Sequence, residues 1–142
     1  MNGSIKIQFL GGCEEVGRLA MVLELDDVRL LFEYGMSPRK PPSYPMQVDP
    51  VDLVLLTHAH LDHSGGIPIL FSRYDQKILT TKLTGEVSNL LHKDSITIAK
   101  SEGYAIPYTP EDVKEAKHAV TPITPKQKRE LGDNNEVKFH DA

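Results

Sequence analysis

A chain of 142 residues, 39% hydrophobic and 25% charged, suits one soluble globular unit, a whole domain or part of one. No apolar run approaches the ~20 residues that cross a bilayer, Met1-Asn2-Gly3-Ser4 lacks a signal peptide's basic and apolar stretches, and the single Cys13 excludes an internal disulfide. The expectation is a cytoplasmic protein without membrane attachment. A net charge of −4 leaves no broad basic footprint for nucleic acid, since Arg39-Lys40 and Lys126-Gln127-Lys128-Arg129 are short and read as solvated faces.

In chain order, Ile5, Ile7 and Phe9 alternate with polar residues, the pattern of a half-buried strand, which Gly11-Gly12 ends. Cys13 to Arg18 form a loop in which Cys13 reads as a small residue of a tight turn. Residues 19–25 and 28–32 read as two strands joined by a hairpin turn at Asp26-Asp27. Pro38, Pro41, Pro42, Pro45 and Pro50 make residues 36–50 an extended irregular connection. A short acidic turn then enters Leu53-Val54-Leu55-Leu56, an apolar run of buried-strand type.

Further on, residues 66–73 read as a short helix and 77–80 as a strand. Thr84 is the expected N-cap of a helix running to about Lys100, with Val87, Leu90, Leu91, Ile96 and Ile98 as its apolar stripe and Gly103 closing it. His92, on that helix, reads as a surface or packing residue. Thr109 caps a second helix, with Pro110 in its first turn and Glu111 and Asp112 at the positive end of the dipole, ending near His118. Val137 and Phe139 alternate as in a final strand.

The chemistry is concentrated in Thr57-His58-Ala59-His60-Leu61-Asp62-His63-Ser64-Gly65-Gly66, directly after the buried strand. The C-terminal mouth of a strand is where α/β proteins usually place ligands. His58 and His60 are two residues apart and project to the same side of an extended backbone. Asp62 and His63 follow as the chain bends, so the four could serve two neighbouring metal ions. Imidazole and carboxylate are the ligands of open, catalytic zinc sites, and the lack of cysteine argues against a closed structural site. Gly65-Gly66 permits tight turning and close backbone approach.

The string His58-Ala59-His60-Leu61-Asp62-His63 matches the H-x-H-x-D-H signature of the metallo-β-lactamase superfamily. Within it the chain resembles the β-CASP nucleases, of the cleavage and polyadenylation specificity factor type and its archaeal relatives. That branch is carried by Phe9-Leu10-Gly11-Gly12-Cys13-Glu14-Glu15-Val16-Gly17-Arg18, by His63-Ser64-Gly65-Gly66-Ile67-Pro68, and by Tyr108-Thr109-Pro110-Glu111-Asp112-Val113. The resemblance implies an α/β fold, the N-terminal half of an αββα sandwich with a mixed β-sheet and flanking helices. It implies two zinc ions, the first on His58 and His60 and the second on Asp62 and His63, with Asp62 also helping to position the hydroxide that attacks a phosphodiester. RNA is the implied partner.

The chain departs from that pattern in two places. Glu33 stands where the family typically has an aspartate that orients the ligands from beneath the metals, and the longer side chain shifts the carboxylate. The Gly-His pair that supplies the third ligand of the first metal in similar proteins is missing, and His140 is out of register with it. The later bridging aspartate, the β-CASP cap and the final histidine are missing too. Residues 1–142 are therefore expected to be a partial metallo-β-lactamase domain, with weak metal affinity and no activity alone.

Three readings follow. The chain is the N-terminal portion of a β-CASP ribonuclease, active when completed by the missing C-terminal portion; or a non-catalytic interaction module that binds a full-length relative; or a metallohydrolase of small esters or thioesters, since the metal motif alone does not choose the substrate. Half a sandwich also leaves apolar surface uncovered, from which self-association is expected.

Overall fold

Alternating side chains fold the start of the chain into three antiparallel strands, β1 (Ile5–Gly11), β2 (Ala20–Leu25) and β3 (Val28–Phe32). In the computed structural model, which describes residues 3–141, Asp26 takes the left-handed conformation (φ 51°) that closes the β2–β3 hairpin at the expected turn. The apolar run after the proline-rich connection becomes β4 (Leu53–Leu55), parallel to β3. Parallel pairing requires crossovers. Two supply helices: α1 (Leu61–Ser64) and α2 (Ile67–Phe71) lead to β5 (Ile78–Thr80), and α3 (Lys82–Glu102) and α4 (Pro110–His118) lead to β6 (Val120–Pro122). The result is one mixed six-stranded sheet in the order β1-β2-β3-β4-β5-β6, followed by a separate hairpin of β7 (Lys128–Leu131) and β8 (Asn135–Lys138). The expected α/β class, a mixed sheet flanked by helices, is what forms.

The strand register sorts the side chains into two faces. On one, Leu10, Ala20, Val22, Leu31, Val54 and Ile78 pack with Ile67 and Leu70 of α2 and Ala116 of α4. On the other, Leu30, Leu55 and Leu79 are buried beneath Leu131, Val137 and Phe139 of the β7–β8 hairpin. A cavity of about 380 Å³ under that hairpin is lined by Leu30, Leu79 and Arg129, at the starting ends of the parallel strands, opposite the His/Asp loop.

Three expectations need correction. The apolar side of β1 is not half-buried: Ile5, Ile7 and Phe9 are 67%, 56% and 58% exposed, because β1 is the sheet's edge and the hairpin does not reach it. The cap of α3 is Thr81 rather than Thr84; its hydroxyl accepts the Thr84 N–H at 3.2 Å, so the helix begins one turn earlier. The α3 stripe holds only in part. Ile96 is buried and Leu91 half-buried as expected, but Leu90 and Ile98 lie exposed and Val87 at the margin, whereas Gly85, Ser88, Asn89, His92, Ser95 and Ala99 face inward. Small side chains let α3 approach its neighbours closely, and this outweighs apolarity in setting the helix's rotation. Lys128 and Arg129 lie on β7, the first exposed and the second half-buried, in keeping with a solvated face. Among the described residues no helix is long and apolar enough to cross a membrane.

Candidate metal centre

The loop after β4 is built by backbone contacts that only particular residues permit. Leu56 extends the sheet by donating to the Leu79 carbonyl, and Thr57 then turns away, its N–H donating to Glu33 Oε1 at 3.1 Å. Gly35 lies against the one-turn helix α1 so closely that a Cβ there would fall 1.7 Å from the Asp62 carbonyl oxygen. A Cβ on Gly66 would meet the Gly35 carbonyl at 2.8 Å, which is why the chain needs small residues on both sides of this contact. The close approach expected of Gly65-Gly66 is thus what the fold uses.

Within this frame the ligand atoms of His58, Asp62 and His63 lie within 4.8 Å of one another, each residue partly exposed. The His58 and His63 rings are 3.9 Å apart between centroids, and His60 stands edge-on to His58 at 4.9 Å, more exposed and outside that trio. His58 therefore sits between the other two imidazoles. His63 Nε2 is 3.4 Å from Asp62 Oδ2. His140 is exposed and not part of the cluster.

Glu33 lies behind this group, 8% exposed, with Oε2 3.5 Å from His63 Nδ1. Both atoms are buried and have no hydrogen-bond partner. Burial pushes the Glu33 carboxyl up to about 7, against the Thr57 hydrogen bond that favours the charged form, and the Asp62 carboxylate raises it further. Burial lowers the His63 pKa, as does the neighbouring His58. Glu33 also has φ 61°, a left-handed backbone that a non-glycine residue adopts only at a cost, so its place beneath His63 is imposed by the fold.

The donor set fits a divalent metal. Two imidazoles and a carboxylate converge within one ion's reach, partly open to solvent, and the unpartnered Oε2 of Glu33 faces the remaining nitrogen of His63, as outer carboxylates orient metal-binding histidines.

Residues 14–137 match the family model described as the metallo-beta-lactamase superfamily. The chain belongs to this superfamily. It is 34% identical to transcription termination factor FttA of Methanocaldococcus jannaschii, over 97% of its own length but 23% of that protein's. It is 37% identical to the same organism's "Probable RNase MJ4", over 91% of the chain and 31% of the relative. An RNase J-like protein from that archaeon is 29% identical, with 97% and 31% covered. The chain thus spans between a fifth and a third of the length of these superfamily relatives, whose names agree with the branch resembled by residues 9–18. Among solved structures, the archaeal superfamily protein ST1585 from Sulfolobus tokodaii superposes with a TM-score of 0.50 at 18% identity, over 93% of this chain and 53% of that one. A chemotaxis sensor, ODP, gives 0.52 at 17%, over 93% and 47%. These two likenesses concern the fold.

Sequence reasoning did not find the supports of the loop. His92, read as surface or packing, is 3% exposed, and burial pushes its pKa down to about 4. Its Nε2 is 2.8 Å from the Ser64 carbonyl, and its ring stands edge-on to Tyr108. The signal lies in the helical spacing of Gly85, Ser88, Asn89, His92, Ser95 and Ala99, which the more apolar residues of the same helix obscure.

Proposed function

We propose that the chain is the N-terminal portion of a zinc-dependent ribonuclease of β-CASP type, hydrolysing RNA phosphodiesters with water, and that it is inactive until completed by the missing C-terminal portion. The observation that carries this reading is the convergence of His58, Asp62 and His63 on one point, with Glu33 behind His63. The family resemblance would put His58 with His60 on a first zinc and Asp62 with His63 on a second, whereas the trio within one ion's reach here joins His58 to the second pair and leaves His60 outside. Bound zinc supplies Lewis acidity: it makes water nucleophilic near neutral pH and offsets charge at phosphorus. Asp62, at the partly exposed edge of the cluster, orients the attacking water by accepting a hydrogen bond from it. Glu33 Oε2, 3.5 Å from His63 Nδ1, would orient the ring from behind, with Nε2 as the ligating nitrogen. Relatives named as an RNase and a termination factor favour RNA over small esters. A cytoplasmic setting, without membrane contact, belongs to the same reading.

The test is zinc content and RNA cleavage on the purified chain, with His60→Ala and Asp62→Ala, alone and mixed with the C-terminal portion of a relative. Weak zinc binding without cleavage alone, and cleavage on mixing that both substitutions abolish, is the expected result. Zinc binding with no activity on mixing would favour the second reading, an interaction module for a full-length relative; no metal binding in any arm overturns the metalloenzyme. Ile5, Ile7 and Phe9, exposed on the sheet edge, support self-association of the isolated chain.

A further inference from the structure

Helix α1 has only four residues, too few to be stable by itself, and no side chain caps its N-terminus at His60. It nevertheless carries Asp62 and His63. Its own hydrogen bonds satisfy only the Leu61 carbonyl, which accepts the Gly65 N–H at 2.8 Å, and leave the other three open, as at any helix end. All four accept from donors elsewhere in the fold. The Leu61 carbonyl receives Met36 N–H at 2.8 Å, Asp62 receives Leu19 N–H at 3.1 Å, and His63 receives Tyr34 N–H at 2.9 Å. The fourth, Ser64, receives the His92 imidazole at 2.8 Å. A carbonyl only accepts, so Nε2 carries the proton in this bond. Ser64 is fully buried, and its hydroxyl donates at 2.7 Å to the Ala59 carbonyl on the other side of the ligands.

We propose that His92 is a positioning residue for the metal centre: its bond to Ser64, continued by the Ser64–Ala59 bond, clamps the segment that presents His60, Asp62 and His63. Three of the four carbonyls are held by backbone N–H groups that any sequence supplies. His92 is the one side-chain donor, and it reaches from the long helix α3, so it ties ligand geometry to the packing of the whole helical layer. Among the described residues its hydrogen bond goes to Ser64 and not to a ligand. The inference rests on the metal-site reading for its functional meaning, whereas the clamp itself can be read without metal.

The experiment compares His92→Leu, which fills the space without a donor, with His92→Gln, which keeps an N–H donor, in the 142-residue chain. Leu70→Ala, in the core beneath α2 and away from the clamp, controls for general loosening. Zinc affinity is measured by competition with a chelator, and amide exchange of Ser64 and Gly65 is measured by NMR without added metal. His92→Leu should weaken zinc binding by about 10–100-fold, the usual effect of losing an outer support, and accelerate both amides. His92→Gln should restore most of each, and Leu70→Ala should leave zinc affinity within about threefold. Unchanged exchange in His92→Leu overturns the clamp. So does equal loss of zinc affinity in all three variants, which would mean general loosening. If the parent chain binds no zinc while exchange follows the expected pattern, the metal reading fails and the clamp stands.

Discussion

The two faces of the six-stranded sheet differ in where their apolar side chains stop. On the helix face they stop where the cover stops: Leu31 and Val54 are fully buried, and at the β1 edge the same face turns to Lys6 and Gln8. On the hairpin face they run past the cover. Leu30, Leu55 and Leu79 lie under the hairpin, but Ile5, Ile7 and Phe9 continue the apolar row to the edge, largely exposed. Burial of apolar area stabilises by about 25 cal/mol per Å², so side chains of equal hydrophobicity contribute very unequally on the two faces. Apolarity written in the sequence is a capacity for burial; the covering layer decides whether it is used.

The largest effect that tests this difference is a deletion on the covered face. Leu31→Ala should cost about 3 kcal/mol and lower the melting temperature by roughly 10 °C, because the cavity it leaves is enclosed. Leu23→Ala, partly buried on the hairpin face beside the bare row, should cost about half as much. Equal losses by calorimetry would show that both faces are equally covered in solution.

Next comes a pH effect confined to the helix face. His92 has its pKa pushed down to about 4 by burial, against an ordinary 6.5 in the unfolded chain. Between these values the unfolded chain binds more protons, so the contribution of the neutral imidazole is complete above pH 6.5 and is lost as the pH falls. By pH 4 the loss should reach about 3 kcal/mol. Denaturant unfolding of the parent chain and of His92→Gln at pH 7 and pH 4.5 isolates this part: the parent should lose more stability than the variant. The same loss in both would place the titration elsewhere.

How much could be read beforehand follows the same division. Local devices were legible. The His/Asp string after Leu53-Val54-Leu55-Leu56 located the site, Thr109-Pro110-Glu111-Asp112 forms the capping box that opens α4, and Asp26-Asp27 closes its hairpin. What depended on a distant neighbour was not legible. Glu33 was located by resemblance, yet its buried contact with His63 depends on how β3 and α1 meet. The rotation of α3 depends on its neighbours too: the helix buries a face of small and polar side chains, of which His92 meets an acceptor in the Ser64 carbonyl while Ser88 Oγ and Asn89 Oδ1 have no partner. The clamp on α1 is mostly backbone, which leaves no mark in residue types.

A smaller effect sharpens the reading of α3. Thr81 accepts the Thr84 N–H and is the residue that starts the helix, so Thr81→Ala should cost about 1 kcal/mol. Thr84→Ala leaves that N–H bond in place and should cost less than half as much. The reverse order in thermal melts would restore Thr84 as the cap and shorten α3 by a turn.

The smallest change in stability is expected where the comparison began. Ile7→Thr combined with Phe9→Thr keeps residues that favour strands on β1 while removing exposed apolar surface, so folding stability should move by no more than about 0.5 kcal/mol. The effect should be on association. If the bare row holds copies of the chain together, sedimentation velocity will show the parent as a concentration-dependent mixture and the double variant as a monomer. The melting curves of the two, taken dilute, will coincide. A monomeric parent would overturn self-association, and a large stability loss in the variant would show that Ile7 and Phe9 are covered after all. In that event the two faces would not differ, and the row of exposed side chains along β1 would belong to the core.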